Sequence, residues 1–243
     1  MKLGKISPSL HVWTDAQCET LMEEVYKVLE TIGCDVKSAA ARSILQDAGC
    51  SIDEERVKIP KKLLIDAIAS TPKQITLYDR DGSPAMILDT EHTYYGPPIS
   101  TVYVTDCDTL ETRKGTRKDA YNAGLICEAL EHCGWASAMS GISDGVSSLS
   151  DVYEVYELLK STKKPLMYWA TSPGNLKLEL AMFEAVSGKE AIAEKPTGIC
   201  LVCPMDPWFT TRKAQTRSSS LQSLVHPWST SPALPWAAPL QFL

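Results

Sequence analysis

The chain has 243 residues, a formal net charge of −6, and a composition that is 44% hydrophobic and 22% charged. This is an ordinary globular composition, long enough for one large domain or two small ones. The acidic balance argues against nucleic acid, and no apolar run approaches the roughly 20 residues that span a bilayer, so we expect neither nucleic acid nor a membrane as a partner. The N-terminus has no apolar core typical of a secretory signal, which indicates a cytoplasmic protein.

The N-terminal part of the chain predicts three amphipathic helices. The first covers residues 14–32, where Thr14 and Gln17 have the spacing of a capping box. The second covers residues 38–48 and the third residues 60–70, each with apolar side chains at helical spacing. We expect the three helices to form a small packed unit that carries no catalytic residue.

A period of two begins after residue 72 and predicts short strands. The predicted strands cover residues 74–79, 85–89, 101–105 and 110–113, the last two as a hairpin. Between them, Tyr94 and Tyr95 lie in a loop rich in glycine and proline. The two tyrosines either pack on the core or form the lip of a ligand site, since loops often carry function.

The stretch from residue 135 to residue 204 predicts parallel βαβ units, and a helix that begins at Thr116 leads into it. The predicted strands are residues 135–140, 165–170 and 198–204, and the amphipathic helices between them are residues 148–163 and 175–188. The loops after these strands lie where parallel α/β folds bind their ligands, and they contain Asp144 and Asp206. Asn175 is expected to cap the second helix.

Eight cysteines and four histidines are scattered along the chain and indicate no metal site. Cys200 and Cys203 have the spacing of a zinc or redox pair. They lie in a predicted strand, however, where residues three apart point to opposite faces. We therefore interpret the cysteines as small buried side chains.

The composition changes abruptly after residue 206. Residues 207–243 contain no Asp or Glu, although the chain has 30, and they hold three of the six tryptophans and five of the 15 prolines. These prolines prevent a regular helix or central strand from residue 227 onward. We interpret the segment as an out-of-frame or wrongly predicted terminus, with a disordered tail as the alternative; the source DNA would distinguish the two.

Five stretches occur in the same order as in one enzyme family. They are ETIGCDVKSAAARSILQDAGCSIDEERVKIPKKLLIDAIASTPKQITLYDRDG (residues 30–82), YYGPP (94–98), TVYVTDCDTLETRKGTRKD (101–119), STKKPLMYWA (161–170) and GICLVCPMDP (198–207). Over residues 14–207 this series resembles the N-terminal region of trimethylamine:corrinoid methyltransferase-like proteins. That family includes the glycine betaine:corrinoid methyltransferases.

The resemblance implies an α/β fold, namely a partial (β/α)8 TIM-type barrel with an N-terminal helical and β-hairpin extension. Residues 1–115 would form the extension, residues 116–206 the first part of the barrel, and residues 207–243 the aberrant or disordered tail. Family members are considerably longer, so the chain looks like the N-terminal half only. At full length the protein would be a homo-oligomer.

The resemblance also implies transfer of a methyl group from a methylated amine to the Co(I) of a corrinoid. A separate corrinoid-binding protein carries that corrinoid (cobalamin), so this chain would bind no cofactor tightly itself. Trimethylamine and glycine betaine both stay open as the small methylated amine.

A quaternary ammonium leaves as a neutral amine, so the protein has to hold the cation and align one methyl group with its acceptor. Aromatic faces and a carboxylate hold such cations. The candidate substrate-binding residues are Tyr94, Tyr95, Asp144, Trp169 and Asp206, and no catalytic residue stands out. Tyr168 and Trp169 alternate on one strand, so only one of them faces the barrel interior, and we favour Trp169.

Two other functions fit the same residues: a non-catalytic amine-binding fragment, and a piece of another TIM-barrel lyase or aldolase. In each case we expect the chain by itself to be inactive and poorly soluble or molten. The reason is that an unfinished sheet exposes an unpaired edge and an apolar face.

Overall fold

The structure, a computed structural model, describes residues 12–99, 101–188 and 194–201 and the backbone of residues 209–210. The chain forms two compact units, one up to Ala69 together with residues 209–210, and one from Ser70 onward. No helix within the described residues is both long and apolar enough to cross a membrane. The interpretation of residues 207–243 as an aberrant tail falls outside the described residues, apart from the backbone at 209–210.

The first unit contains the three predicted helices. They are α1 (Asp15–Thr31), α2 (Ala39–Asp47) and α3 (Lys61–Ser70). The capping box predicted for α1 is present, because the Gln17 N–H donates to Thr14 Oγ1 at 3.3 Å and the Thr14 N–H donates to Gln17 Oε1 at 2.9 Å. All three helix predictions are confirmed.

Three short strands lie between these helices, and the periodicity of the sequence does not predict them. They are β1 (Cys34–Val36), β2 (Ser51–Asp53) and β3 (Arg56–Lys58), and β3 pairs antiparallel with both of the others. Their core residues are Val36, Cys50 and Val57. Gly33 directly precedes β1 and has a φ of 72°. A Cβ at this position would clash with the Val57 carbonyl oxygen, so the close contact between residue 33 and the β3 backbone requires glycine.

The second unit contains six strands and three helices within its described residues. They are β4 (Ile75–Tyr78), β5 (Pro84–Leu88), β6 (Tyr103–Thr105), β7 (Thr112–Lys114), α4 (Arg117–Ala129), α5 (Ser150–Ser161), β8 (Leu166–Trp169), α6 (Pro173–Ser187) and β9 (Gly198–Leu201). β4 pairs antiparallel with β5, and β6 pairs antiparallel with β7. The hairpin predicted for residues 101–105 and 110–113 is therefore present, with its second strand at Thr112–Lys114. The last strand, β10 (Phe209–Thr210), belongs to the first unit and pairs parallel with β1.

Parallel pairing organises the second unit around β8. β8 and β9 pair in parallel, with Leu166 opposite Gly198 and Trp169 opposite Leu201. Three isolated parallel bridges continue the arrangement upstream: Tyr95 to Cys133, Thr101 to Ser140, and Ala136 to Leu166. Four extended segments therefore run side by side in chain order, with α5 and α6 as crossover helices.

The predicted strand at residues 135–140 is wrong as a regular strand, because it makes only these isolated bridges. The physical reason lies at its end. Met139 has a φ of 61°, and the Ser140 N–H donates to the Ala138 carbonyl at 2.7 Å, which bends the backbone out of the extended conformation. Its parallel neighbours on one side are Tyr95 and Thr101.

The core of the second unit lies between the helices and the parallel segments. Its buried members are Ala120, Cys127, Ala136, Ala138, Ile142, Val155, Leu158, Leu159, Leu166, Tyr168, Ala170, Leu176 and Phe183. Residues 70–115, which we predicted as part of the N-terminal extension, belong to the same compact unit as α4, α5 and α6. Closure into a (β/α)8 barrel stays a prediction.

Candidate functional site

The carboxyl ends of the parallel segments lie at one edge of the array. Parallel strands in neighbouring positions bring their carboxyl ends together, and ligands of open and closed α/β sheets bind there. In the described residues this edge is formed by the chain after Ser140 and the chain after Trp169. Asp206 follows β9 in the sequence but lies outside the described residues.

The end of β8 carries the aromatic side chain that we favoured. Trp169 is half-buried, and its indole Nε1–H donates to Glu154 Oε2 at 3.1 Å. Tyr168 is 6% exposed and packs on Phe183 of α6, with ring centroids 5.2 Å apart. The two side chains leave β8 on opposite faces, because residues alternate along a strand, yet the indole of Trp169 also reaches the helical layer, at Glu154 of α5.

The loop after β8 is held by a buried carboxylate. Asp151 of α5 is 1% exposed; it accepts from the Thr171 N–H at 2.5 Å and from Asn175 Nδ2 at 2.7 Å. Asn175 Nδ2 also donates to the Ser148 carbonyl at 2.7 Å and lies 2.9 Å from Thr171 Oγ1. These bonds tie the start of α5 to the start of α6 and fix the position at which the chain leaves Trp169.

The prediction that Asn175 caps α6 is wrong. Ser172 is the cap, because its hydroxyl accepts from the Asn175 N–H at 3.1 Å, and Pro173 occupies the first turn. The Asn175 side chain is instead committed to Asp151 and Ser148. A proline directly after a serine was the signal in the sequence for this start.

Asp144 lies in the loop at the neighbouring carboxyl end and contacts a helix start. It is exposed, and its Oδ1 accepts from the Arg117 N–H at 2.9 Å, which places a carboxylate at the first residue of α4. Negative charge at this end of a helix is favourable. The side chain of Arg117 binds Glu157 of α5 with Nε and Nη2 at 2.8 and 2.5 Å.

The same helix start is stabilised by an ion pair. Asp119 and Thr116 form a capping box, and Arg113 donates to both Asp119 oxygens at 2.7 and 2.9 Å. The hydrogen bonds from Arg113 hold the pKa of the Asp119 carboxyl well below its usual range, with bonds from Thr116 adding to the effect and burial opposing it. This group has a structural role at the β7–α4 junction.

Tyr94 and Tyr95 lie at the other end of the array. Tyr95 bridges to Cys133, ahead of the segment that ends at Ser140, and it is 73% exposed. The Tyr94 hydroxyl accepts from the Ile87 N–H at 2.9 Å, and its ring stacks with His92. Both tyrosines line a cavity of about 1040 Å³ that also includes Pro165, the residue before β8.

The structure therefore does not bring all of the predicted site residues together. Asp144 follows the segment that ends at Ser140, and Trp169 is the last residue of β8, so both lie at the carboxyl edge. Tyr94 and Tyr95 lie at the amino edge. Within the described part of the chain, no cluster of three or more His, Cys, Asp or Glu side chains is arranged to hold a metal ion. Of the predicted set, Trp169 is the half-buried aromatic residue that is hydrogen-bonded to a buried acid at the carboxyl edge.

Two buried acids near this edge, Asp151 and Glu154, were not predicted from the sequence. Both lie on the inward face of α5 together with the buried residues Val155 and Leu158. An acid at an inward helical position is unusual, since charged side chains are seldom fully buried without a partner. That pattern was the available signal.

Comparison with known proteins adds a family to this geometry. The family model described as "Trimethylamine methyltransferase (MTTB)" matches residues 2–220, which extends beyond residue 207 at one end and before residue 14 at the other.

Individual relatives match most of this chain at 23–27% identity. The chain is 27% identical over 198 residues to trimethylamine methyltransferase MttB of Desulfitobacterium hafniense (strain DSM 10664 / DCB-2), covering 80% of this chain and 40% of the relative. It is 23% identical over 212 residues to the glycine betaine methyltransferase of Desulfitobacterium hafniense (strain Y51), covering 84% and 43%. It is 23% identical over 207 residues to trimethylamine methyltransferase MttB of Methanosarcina thermophila, covering 82% of this chain and 43% of the relative. The chain thus spans about two fifths of the length of these relatives.

Proposed function

This chain belongs to the trimethylamine methyltransferase family, and on that premise we propose that it contributes the amine-binding part of a methyl transfer. The methyl donor is a small methylated amine, and the acceptor is the Co(I) of a corrinoid that a separate corrinoid-binding protein carries. The family match over residues 2–220 is the observation that carries this proposal. The names of the relatives, trimethylamine and glycine betaine methyltransferase, indicate the class of amine.

The chemistry asks little of the chain beyond binding and alignment. When the acceptor takes the methyl group of a quaternary ammonium, or of a tertiary amine that is already protonated, the C–N bonding electrons stay with nitrogen and a neutral amine leaves, so no proton transfer is needed in this step. Holding the reacting atoms in line is then the main source of rate enhancement. In this chain the aromatic face of Trp169 holds the cation, since an aromatic ring attracts a quaternary ammonium over its face.

The loop network keeps that aromatic face in place. The bonds from Thr171 and Asn175 to the buried Asp151 fix the chain immediately after β8. A site built on such buried hydrogen bonds loses little entropy when a ligand binds, because its groups are already ordered.

The chain by itself is expected to be inactive, because it spans about two fifths of the length of its relatives. Within the described residues, β9 pairs only with β8, so its other edge is open. A methyl group has to be shielded and aligned from more than one side, which the described segments alone do not provide. Methyl transfer then requires the rest of a barrel, a corrinoid protein and the amine.

The proposal is tested by complementation. The full 243-residue chain is combined with the C-terminal part of the Desulfitobacterium hafniense glycine betaine methyltransferase that it does not cover. Glycine betaine and the Co(I) corrinoid protein are added, and methylation of the corrinoid is followed by its absorbance. We expect transfer with the two parts together and none with either part alone. Trp169→Ala is expected to lower the rate by at least tenfold, on the order of a lost cation–aromatic contact of about 1.4 kcal/mol.

Two outcomes separate this function from the alternatives. If the two parts form a defined complex by size-exclusion chromatography but transfer no methyl group from glycine betaine or trimethylamine, the methyltransferase proposal is wrong. If the complex binds either amine by calorimetry without turnover, the chain is a non-catalytic amine-binding module instead.

A further inference from the structure

The only carboxylate that the described structure places on Trp169 is that of Glu154. Glu154 lies in the second turn of α5 and is 3% exposed. Its Oε2 accepts the indole N–H of Trp169 at 3.1 Å. The buried acid and the half-buried ring therefore form a hydrogen-bonded pair at the carboxyl end of β8.

Asp144, the acid that the sequence suggested for this edge, is engaged elsewhere. Its carboxylate is exposed and accepts from the Arg117 N–H at the start of α4. A charge in contact with water is screened strongly, whereas a buried charge keeps much of its field. Of the two acids, Glu154 is the one whose carboxyl group contacts Trp169.

The hydrogen bond also changes the ring. An indole that donates its N–H to a carboxylate gains electron density, and the attraction between an aromatic face and a cation grows with that density. The bond further fixes the ring about its side-chain torsions, since the acceptor belongs to a helix. Both effects favour a cation over a neutral molecule of the same shape.

We propose that Glu154 is a positioning residue that makes the Trp169 site selective for quaternary ammonium groups over neutral isosteres. The inference rests on the proposed function, because it assumes that the ligand of Trp169 is a methylated ammonium. It deepens that function by assigning charge selectivity to a residue of α5. Glu154 acts through the indole of Trp169 and through its field.

The test compares a cation with its neutral isostere. Choline and 3,3-dimethylbutan-1-ol have the same shape and differ in charge, and their dissociation constants are measured by calorimetry or NMR on the full chain and on the complemented complex. Wild type is expected to prefer choline by roughly tenfold or more. Glu154→Gln keeps the side-chain shape and an oxygen that accepts the indole N–H, but it removes the charge. We expect it to reduce the preference at least fivefold, with the affinity for the neutral alcohol changed by less than about twofold.

Two further variants keep the result independent of folding. Asp144→Asn removes an exposed acid from the same edge and is expected to leave the preference unchanged. In a Trp169→Phe background the indole N–H is absent, so Glu154→Gln is expected to have a smaller effect than in wild type, as a coupled pair requires. The indole N–H resonance of Trp169 is expected to shift in Glu154→Gln even without ligand.

The outcomes distinguish this inference from the proposed function. If the wild-type complemented complex binds neither choline, glycine betaine nor trimethylamine, the proposed function fails and the inference fails with it. If wild type prefers choline and Glu154→Gln retains that preference, only the inference is overturned. The same conclusion follows if Asp144→Asn abolishes the preference.

Discussion

At the level of single residues, the buried acids Asp151 and Glu154 at the carboxyl edge have two different roles. Asp151 is surrounded by donors from the β8–α6 loop and from Asn175, so it stabilises the backbone there. Glu154, one turn further along α5, contacts the indole of Trp169. Spacing of three residues puts both acids on the same face of the helix, which explains why one helix both builds the loop and supports the ring.

A second residue-level feature, the Arg113–Asp119 pair, predicts a pH dependence. Asp119→Asn is expected to lower the free energy of opening of the first turn of α4 by about 1–2 kcal/mol at pH 7. The reason is that the substitution removes the ion pair with Arg113, in which the Asp119 side chain is 21% exposed. The folded state holds the pKa of Asp119 below its unfolded value. Its stabilisation is therefore fully present above the unfolded pKa, near 4, and is lost as the pH falls from there towards the folded pKa.

Amide hydrogen exchange, corrected for intrinsic rates, measures this effect at pH 7 and near pH 3. The difference in opening free energy between wild type and Asp119→Asn is expected to be smaller at the lower pH. Asp108 is exposed and lies on the same hairpin as Arg113, so Asp108→Asn is the matched control. Its opening free energy is expected to differ from that of wild type by less than about 0.5 kcal/mol. An equal gap at both pH values would contradict the assignment.

At the level of elements, α4 and α5 approach closely at a glycine. Gly124 is buried in α4, and a Cβ there would clash with the Ser161 hydroxyl of α5. Gly124→Ala is therefore expected to destabilise the pair by about 1–3 kcal/mol through overpacking, although alanine is the better helix former. Adding Ser161→Ala removes the clashing oxygen and is expected to restore part of the loss.

Native-state proteolysis of the α4–α5 region measures the opening free energy of these variants. Gly174 is the control, since it lies in α6, and a Cβ there would meet only the Ser172 hydroxyl at 3.8 Å, an ordinary contact. Gly174→Ala is expected to be neutral or stabilising. If Gly124→Ala is also neutral or stabilising, α4 and α5 do not approach as closely at this position as the structure shows.

The comparison of sequence and structure also belongs to this scale. The helices and capping boxes at Thr14 and Thr116 were predictable, because capping depends on residues three apart. The three-residue strands β1, β2 and β3 were not, because a period of two cannot be recognised over so short a run. The bend at Met139 depends on a positive φ at a residue that does not favour it, so local sequence gives no sign of it.

The candidate site was predictable only in part for a similar reason. The opposite orientations of Tyr168 and Trp169 on β8 were predictable because strand alternation is local, and the burial of Tyr168 agrees with that alternation. The partner of Trp169 was not found, because Glu154 is 15 residues away and reaches it only through the packing of α5 on β8. Long-range partners of this kind follow from tertiary structure alone.

At the level of the whole molecule, the chain leaves much apolar surface exposed. Within the described residues, large apolar side chains of α1 and α3 are about half exposed, including Leu21, Ile32 after the end of α1, and Ile68. In the second unit, Met167, Ile199 and Leu201 are only partly buried, and β9 has no second partner among the strands that the structure describes. Exposed apolar patches and open strand edges promote association, and a net charge of −6 opposes it only weakly.

The whole-molecule prediction is that the 243-residue chain binds the dye ANS strongly and elutes above its monomer mass of 26.7 kDa. Adding the complementary C-terminal part of the glycine betaine methyltransferase is expected to lower the ANS fluorescence and give one defined complex, because strands of the added part would pair with the open edge of β9. A matching part of an unrelated barrel should do neither. A compact monomer that binds no ANS would show instead that the exposed faces are satisfied within the chain, and the need for a second half would then lose its physical basis.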